Sequence, residues 1–168
     1  MLGFEFYSEL LEKLVELLKE TLGESLVSVV LYGSVARGVA KPESDIDLLL
    51  IIRNPARNYH RRLDRVLDVQ SRLREEDVFR RSMRSLGTEP RISYLILSMK
   101  EARENRYIYL DMVEDARILH DRGGFFAQRL EEVKQRLRQL GSKRVWLDDG
   151  TWYWDLKPDL KPGEVFSL

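Results

Sequence analysis

Tyr7, Leu10, Leu11, Leu14, Leu17, Leu18 and Leu22 recur at three- and four-residue spacing, with Glu9, Glu12, Lys13, Glu16 and Glu20 between them. This predicts an amphipathic helix over residues 4–22, and Gly23 is its natural stop. The period then changes. Residues 26–32 read as a strand, and a second strand from Asp45 to Ile52 is apolar on both faces once past Asp47, the pattern of a central strand covered on each side. Asn54-Pro55 breaks it. Residues 58 to about 83 predict a helix with an imperfect stripe of Leu63, Val66, Leu67, Leu73, Val78 and Phe79, ended by Gly87 and Pro90. A third strand, 91–98, is expected to be buried and paired beside the second. Residues 100–115 read as helix, 117–120 as a short edge strand, and 124–140 as a helix closed by Gly141.

The C-terminal end differs in character. Arg144-Val145-Trp146-Leu147 and Thr151-Trp152-Tyr153-Trp154 flank Asp149-Gly150, a dipeptide favoured in two-residue hairpin turns. Residues 156–164, with Pro158 and Pro162, follow as an extended tail that cannot be helix. All three tryptophans lie in the hairpin, which fits either a cover for the core or a contact with a partner or a second copy. Residues 1–141 are therefore expected to form one domain. Residues 142–168 are either part of it or a partner-contacting appendage.

At 168 residues, 43% of them hydrophobic, the chain suits a single globular domain. It has no cysteine and two histidines, so a disulfide framework is excluded and a zinc site is not expected. No run of 18 apolar residues suggests a membrane span, and the N-terminus does not read as a signal peptide; a cytoplasmic location is the expectation. The net charge is zero, yet residues 53–91 carry 11 arginines against 6 acids. Arginine suits phosphate, whether of a triphosphate or a nucleic acid, although such a run is more often a solvated helix face.

The candidate chemistry lies at the ends of the first two strands. Asp45 and Asp47 are one residue apart at a strand opening, so they share a face. Two carboxylates that close call for a cation, and Mg2+ takes one or two carboxylates plus substrate phosphates. The Gly33-Ser34 turn after the first strand frees backbone N–H groups suited to phosphate oxygens, and Arg37 adds a planar cationic fork. A Walker motif is excluded because Gly38 is followed by Val39 and Ala40, and a dinucleotide fingerprint lacks its third glycine. What remains is a metal-bound triphosphate.

Gly33-Ser34, ten residues, then Asp45-Ile46-Asp47, each hemmed by apolar strand residues, resembles the signature of the DNA polymerase β-like nucleotidyltransferase superfamily, and the chain length is similar to its minimal members (MNT type). The resemblance covers residues 29–52. It implies an α/β (α+β) fold with a mixed β-sheet flanked by helices, an NTP substrate with ATP expected, and Mg2+-dependent transfer of a nucleoside monophosphate to an acceptor hydroxyl. By position Asp45 and Asp47 match the metal-binding catalytic pair of a two-metal mechanism, and Gly33, Ser34 and Arg37 the nucleotide-binding turn. The resemblance also implies a third carboxylate on the strand after the next helix, but residues 91–97 contain no acid; Glu89, Asp111, Glu114 and Asp115 are the nearest in sequence. Two roles follow for this family type: an enzyme, including the antitoxin of a HEPN/MNT pair acting on a HEPN-type partner protein or an RNA, or a catalytically degenerate nucleotide- or RNA-binding module.

Overall fold

The two apolar runs pair with each other. β1 (Leu26–Tyr32) and β2 (Ile46–Ile52) are antiparallel, with Leu31 opposite Leu48 and Tyr32 opposite Asp47. β3 (Ile92–Ser98) adds parallel to β2, and β4 (Arg117–Asp121) adds antiparallel to β1. The order β3-β2-β1-β4 is the expected mixed sheet, with the glycine turn at the end of one central strand and the aspartates at the opening of the other. The computed structural model describes residues 1–167; Leu168, the end of the expected tail, lies outside the described residues.

Alternation along the central strands sends side chains into two cores. Val29, Leu31, Leu48 and Leu50 pack with the leucine stripe of α1 (Phe4–Leu22), joined by Val66, Val69 and Leu73 of a later helix. Val27, Val30, Leu49 and Ile51 meet Tyr109, Leu110 and Phe126 on the other face. Each such side chain removed from water contributes about 1.5–3 kcal/mol. Asp45 and Asp47 have the parity of Leu49, so the acidic pair belongs to the face that carries this second core. Between β1 and β2 lies α2 (Gly33–Ala36), a single short turn of helix.

Three expectations about the helices and β3 are corrected. The helix predicted over 58–83 is two, α3 (Tyr59–Glu75) and α4 (Asp77–Leu86), with Glu76 extended between them at φ −77°, ψ 145°. The reason is phase: after Val66, Val69 and Leu73 the next core-facing positions would be Glu76 and Asp77, and only a break brings Phe79 inside. Likewise residues 100–115 divide into α5 (Met99–Arg103), opened by a Ser98–Glu101 capping box, and α6 (Ile108–Asp115). β3 is an edge strand in which Ile96 and Leu97 are buried and the rest are half-buried.

The last helix is α7 (Phe125–Leu140), and the hairpin is β5 (Lys143–Trp146) with β6 (Trp152–Asp155). Its turn is longer than the two residues predicted: Leu147 N–H donates to Thr151 O at 2.8 Å, and Gly150 takes the left-handed φ of 79° that closes a three-residue loop. The segment after it is non-helical as expected, though it folds back on itself through the Lys157–Glu164 ion pair at 3.0 Å.

One side chain joins three elements. Asp121, at the end of β4, accepts the buried Ser28 hydroxyl of β1 at 2.7 Å and the N–H groups of Phe126 (3.1 Å) and Ala127 (2.9 Å) at the start of α7. Asp121→Ala removes a cap and leaves that hydroxyl unsatisfied, and is expected to lower stability by about 2 kcal/mol. Urea unfolding measures it; a loss under about 0.5 kcal/mol, the range of an indifferent surface change, would contradict this account.

Candidate active site

β1 runs straight into α2, and the junction is tight. Gly33 has φ 73°, a conformation that disfavours side chains, and a Cβ built there would overlap the Asp47 carboxylate on the neighbouring strand. The turn is closed by Arg37 N–H to Gly33 O at 3.2 Å and Val39 N–H to Ser34 O at 3.0 Å. Gly33, Ser34 and Arg37 are thus held beside Asp47, with the first N–H groups of the turn lacking intrahelical partners. Asp45 stands one residue before β2 rather than on it, and is exposed.

The two acids differ in surroundings. Asp47 is half-buried; burial raises its pKa above the usual aspartate value, the Asp45 charge raises it further, and the Arg37 guanidinium and the Ser93 hydroxyl only partly oppose this. Tyr32, opposite it, is pushed up to about 12 by burial and by the Asp47 charge. Asp45 Oδ1 meets Arg91 Nε at 2.9 Å in a solvent-exposed pair, which contributes little to stability. Arg91 also donates to the Glu43 carbonyl.

A half-buried carboxylate made more basic by a second one is a group that a divalent cation would relieve. Among the described residues no cluster of three or more His, Cys, Asp or Glu side chains is placed to hold a metal. An ion held by these two carboxylates would have to take its remaining ligands from phosphate and water oxygens, as hard divalent cations accept. The candidates for a third carboxylate are placed elsewhere. Glu89 pairs with Arg74 at 2.7 Å, Asp115 with Arg144 at 3.0 Å, Asp111 accepts two indole N–H groups, and Glu114 is exposed. Ser93, opposite Asp47 on β3, stands where the resemblance leads one to look for an acid.

The arginine-rich segment serves the scaffold. Arg72 pairs with Glu20 at 2.6 Å, Arg81 with Glu9 at 2.9 Å, and Arg65 donates to Thr21 O at 2.9 Å, which fastens α3 and α4 to α1. Arg62 binds Glu101 at 2.7 Å and draws its pKa down to about 2. What the sequence reading missed is the C-terminal side of the site. The Arg37 guanidinium carbon lies 4.8 Å from the Trp152 ring centroid. Nothing local in the sequence links residues 115 positions apart; Arg91 and Ser93 become visible once the parallel register is known.

Two variants test this geometry. Gly33→Ala is expected to cost about 1–3 kcal/mol in urea unfolding, because its methyl meets both a disfavoured φ and the Asp47 carboxylate; an unchanged midpoint would refute the close approach. For Asp47 the sign follows from linkage: a carboxyl whose folded pKa is raised loses stability as pH rises through that pKa and keeps it below the unfolded value of about 3.9. Without metal or nucleotide, Asp47→Asn should therefore melt above the parent at pH 7, with the gap closing toward about pH 3.9. A variant that melts lower at pH 7 would show a carboxylate satisfied by its neighbours.

A Methanocaldococcus jannaschii protein named as a candidate protein adenylyltransferase is 29% identical over 147 residues, 84% of this chain and 89% of that protein. Among solved structures, a candidate nucleotidyltransferase from Sulfolobus solfataricus is 23% identical, over 68% of this chain and 79% of that one, with TM-score 0.43. A tri-AMPylated Shewanella oneidensis HEPN toxin in complex with MNT antitoxin is 11% identical, over 78% of this chain and 91% of that one, with TM-score 0.39. The nucleotidyltransferase domain model matches residues 10–110, from the first helix through β1, β2 and β3 into the start of α6, and the chain belongs to that family.

Proposed function

We propose that this nucleotidyltransferase uses ATP with Mg2+ and transfers AMP to a hydroxyl of a protein acceptor. The observation that carries the reading is the juxtaposition of the Gly33 turn with Asp47, an acid left with surplus negative potential by burial and by Asp45. The adenylyl group and the protein acceptor are supported by the name of the Methanocaldococcus jannaschii relative.

In this reading Arg37 and the N–H groups of the Gly33-Ser34 turn hold the β- and γ-phosphates, leaving the α-phosphate beside Asp45 and Asp47. The acceptor oxygen forms a bond to the α-phosphorus, the bond from that phosphorus to the bridging oxygen breaks, and pyrophosphate leaves with the electron pair. A bound Mg2+ supplies charge neutralisation at the phosphates. The chain itself binds and orients: Asp45 and Asp47 hold the ion, Ser93 donates to Asp47, and Arg91 must release Asp45 for both its oxygens to serve. The acceptor hydroxyl is left with a proton to lose to solvent.

The exposed apolar residues of the hairpin and its loop, Trp146, Leu147 and Tyr153, are what we assign to the acceptor, with a helical HEPN-class protein as the partner to try first and RNA or a second copy as the alternatives. A cytoplasmic location, where ATP and Mg2+ are at hand, goes with this reading; among the described residues no helix is long and apolar enough to cross a membrane. One observation favours a second reading. With Ser93 opposite Asp47, the chain can be a nucleotide-binding module without transfer.

Incubation with α-labelled ATP, Mg2+ and candidate acceptors decides between them. Label is expected on the acceptor, and Asp45→Asn with Asp47→Asn should reduce it by at least about a thousandfold, the scale on which removal of key charge-stabilising groups acts. The same double variant should lose the rise in melting temperature that Mg2+ with ATP gives the parent. Binding without label would favour the module, and undiminished labelling by the double variant would remove the acids from the mechanism.

A further inference from the structure

The hairpin at residues 143–155 does more than cover the core. Trp152 of β6 faces the turn after β1, and its ring centroid lies 4.8 Å from the Arg37 guanidinium carbon, within cation–π range. Arg37 Nε is buried and has no hydrogen-bond partner. The indole is thus a neighbour of the Arg37 guanidinium in addition to the Asp47 carboxylate, whose charge Arg37 partly offsets.

Trp152 is in turn fixed by α6. Its Nε1 donates to Asp111 Oδ1 at 3.1 Å, and Trp154 Nε1 donates to the same oxygen at 3.3 Å. Four residues further along that helix, Asp115 holds Arg144 at 3.0 Å, and the Arg144 guanidinium carbon lies 4.3 Å from the Trp152 ring. Residues at i and i+4 share a helix face, so one side of α6 sets both the indole and the second guanidinium. A carboxylate accepting the indole N–H leaves the ring richer in electrons and strengthens its attraction for a cation. Asp115 pairs with Arg144, whereas Arg37 makes no such ion pair among the described residues, and its guanidinium acts on Asp47 through its charge.

We propose that Trp152 is a positioning residue for the nucleotide site: the C-terminal hairpin presents its indole to Arg37, so that hairpin docking and triphosphate affinity are coupled. Residues 142–155 then belong to the nucleotide-binding unit. The proposal rests on the reading of Arg37 as a ligand of the triphosphate. Asp111 and Asp115, which the sequence offers as spare acids near the site, take the role of anchoring the hairpin.

A double-variant cycle on the full chain tests it, with the dissociation constant for ATP in Mg2+ measured by calorimetry. Trp152→Ala is expected to raise that constant about five- to thirtyfold, the scale of a desolvated cation–π contact, and Trp152→Phe to restore most of the loss. In an Arg37→Ala background Trp152→Ala should add less than twofold. Equal losses with and without Arg37 would mean that the hairpin acts by general support, and would overturn the proposal. If Arg37→Ala alone leaves ATP affinity unchanged, it is the reading of Arg37 that fails. A second measurement leaves Trp152 in place: with Trp146→Phe and Trp154→Phe its emission is the only indole signal, and it should change on saturation with ATP and Mg2+. No change on saturation would overturn the coupling.

Discussion

Asp47 lies against a glycine that has no room for a Cβ, half withdrawn from water and within reach of a second carboxylate. A sheet built only for stability would not leave an acid there. Burial disfavours its charge, a like charge adds to the penalty, and one guanidinium with one hydroxyl does not offset them. On the proposed reading, a divalent cation would relieve that surplus negative potential, and the turn after β1, whose Gly33 touches the same carboxylate, would hold the phosphates. The constraint spreads outward: Gly33 must be glycine, Tyr32 must pair with Asp47, and β1 and β2 must be central for the junction to be held on both faces.

Arginine has two distinct uses in this chain. On α3 and α4 the guanidinium groups reach across to acids and a carbonyl of α1, in largely exposed pairs that set the packing of one layer. At the rim, Arg37 has an indole for a neighbour and a buried Nε without a hydrogen-bond partner. Composition alone cannot tell these apart, because each is a cation with acids within reach. The difference lies in what the surrounding structure leaves unpaired: within residues 53–91, Arg65, Arg72 and Arg81 serve the scaffold, while Arg91 reaches Asp45 at the rim.

Much of the fold was legible along the chain. The helix over 4–22 and the strand over 26–32 match α1 and β1, since strong periodicity and a clean change of period survive into the structure. The 58–83 segment was not legible as two helices, because no glycine or proline marks Glu76 and the break answers a demand of the core for Phe79. The Asp149-Gly150 dipeptide announced a hairpin but not its loop length, which follows from Leu147 bonding to Thr151 beyond the Trp146–Trp152 pair. At the rim, the two acids and the glycine turn could be read because they lie within 15 residues of one another.

The sequence by itself determined the elements, the mixed α/β character and the short-range motif, for these depend on neighbours a few residues apart. Only the tertiary structure decided that Ser93 faces Asp47, that Arg91 meets Asp45, and that Trp152 reaches Arg37. Those contacts join segments with no common periodicity. They exist because strand register and helix docking, set by burial of two separate cores, bring distant parts of the chain to one edge of one sheet.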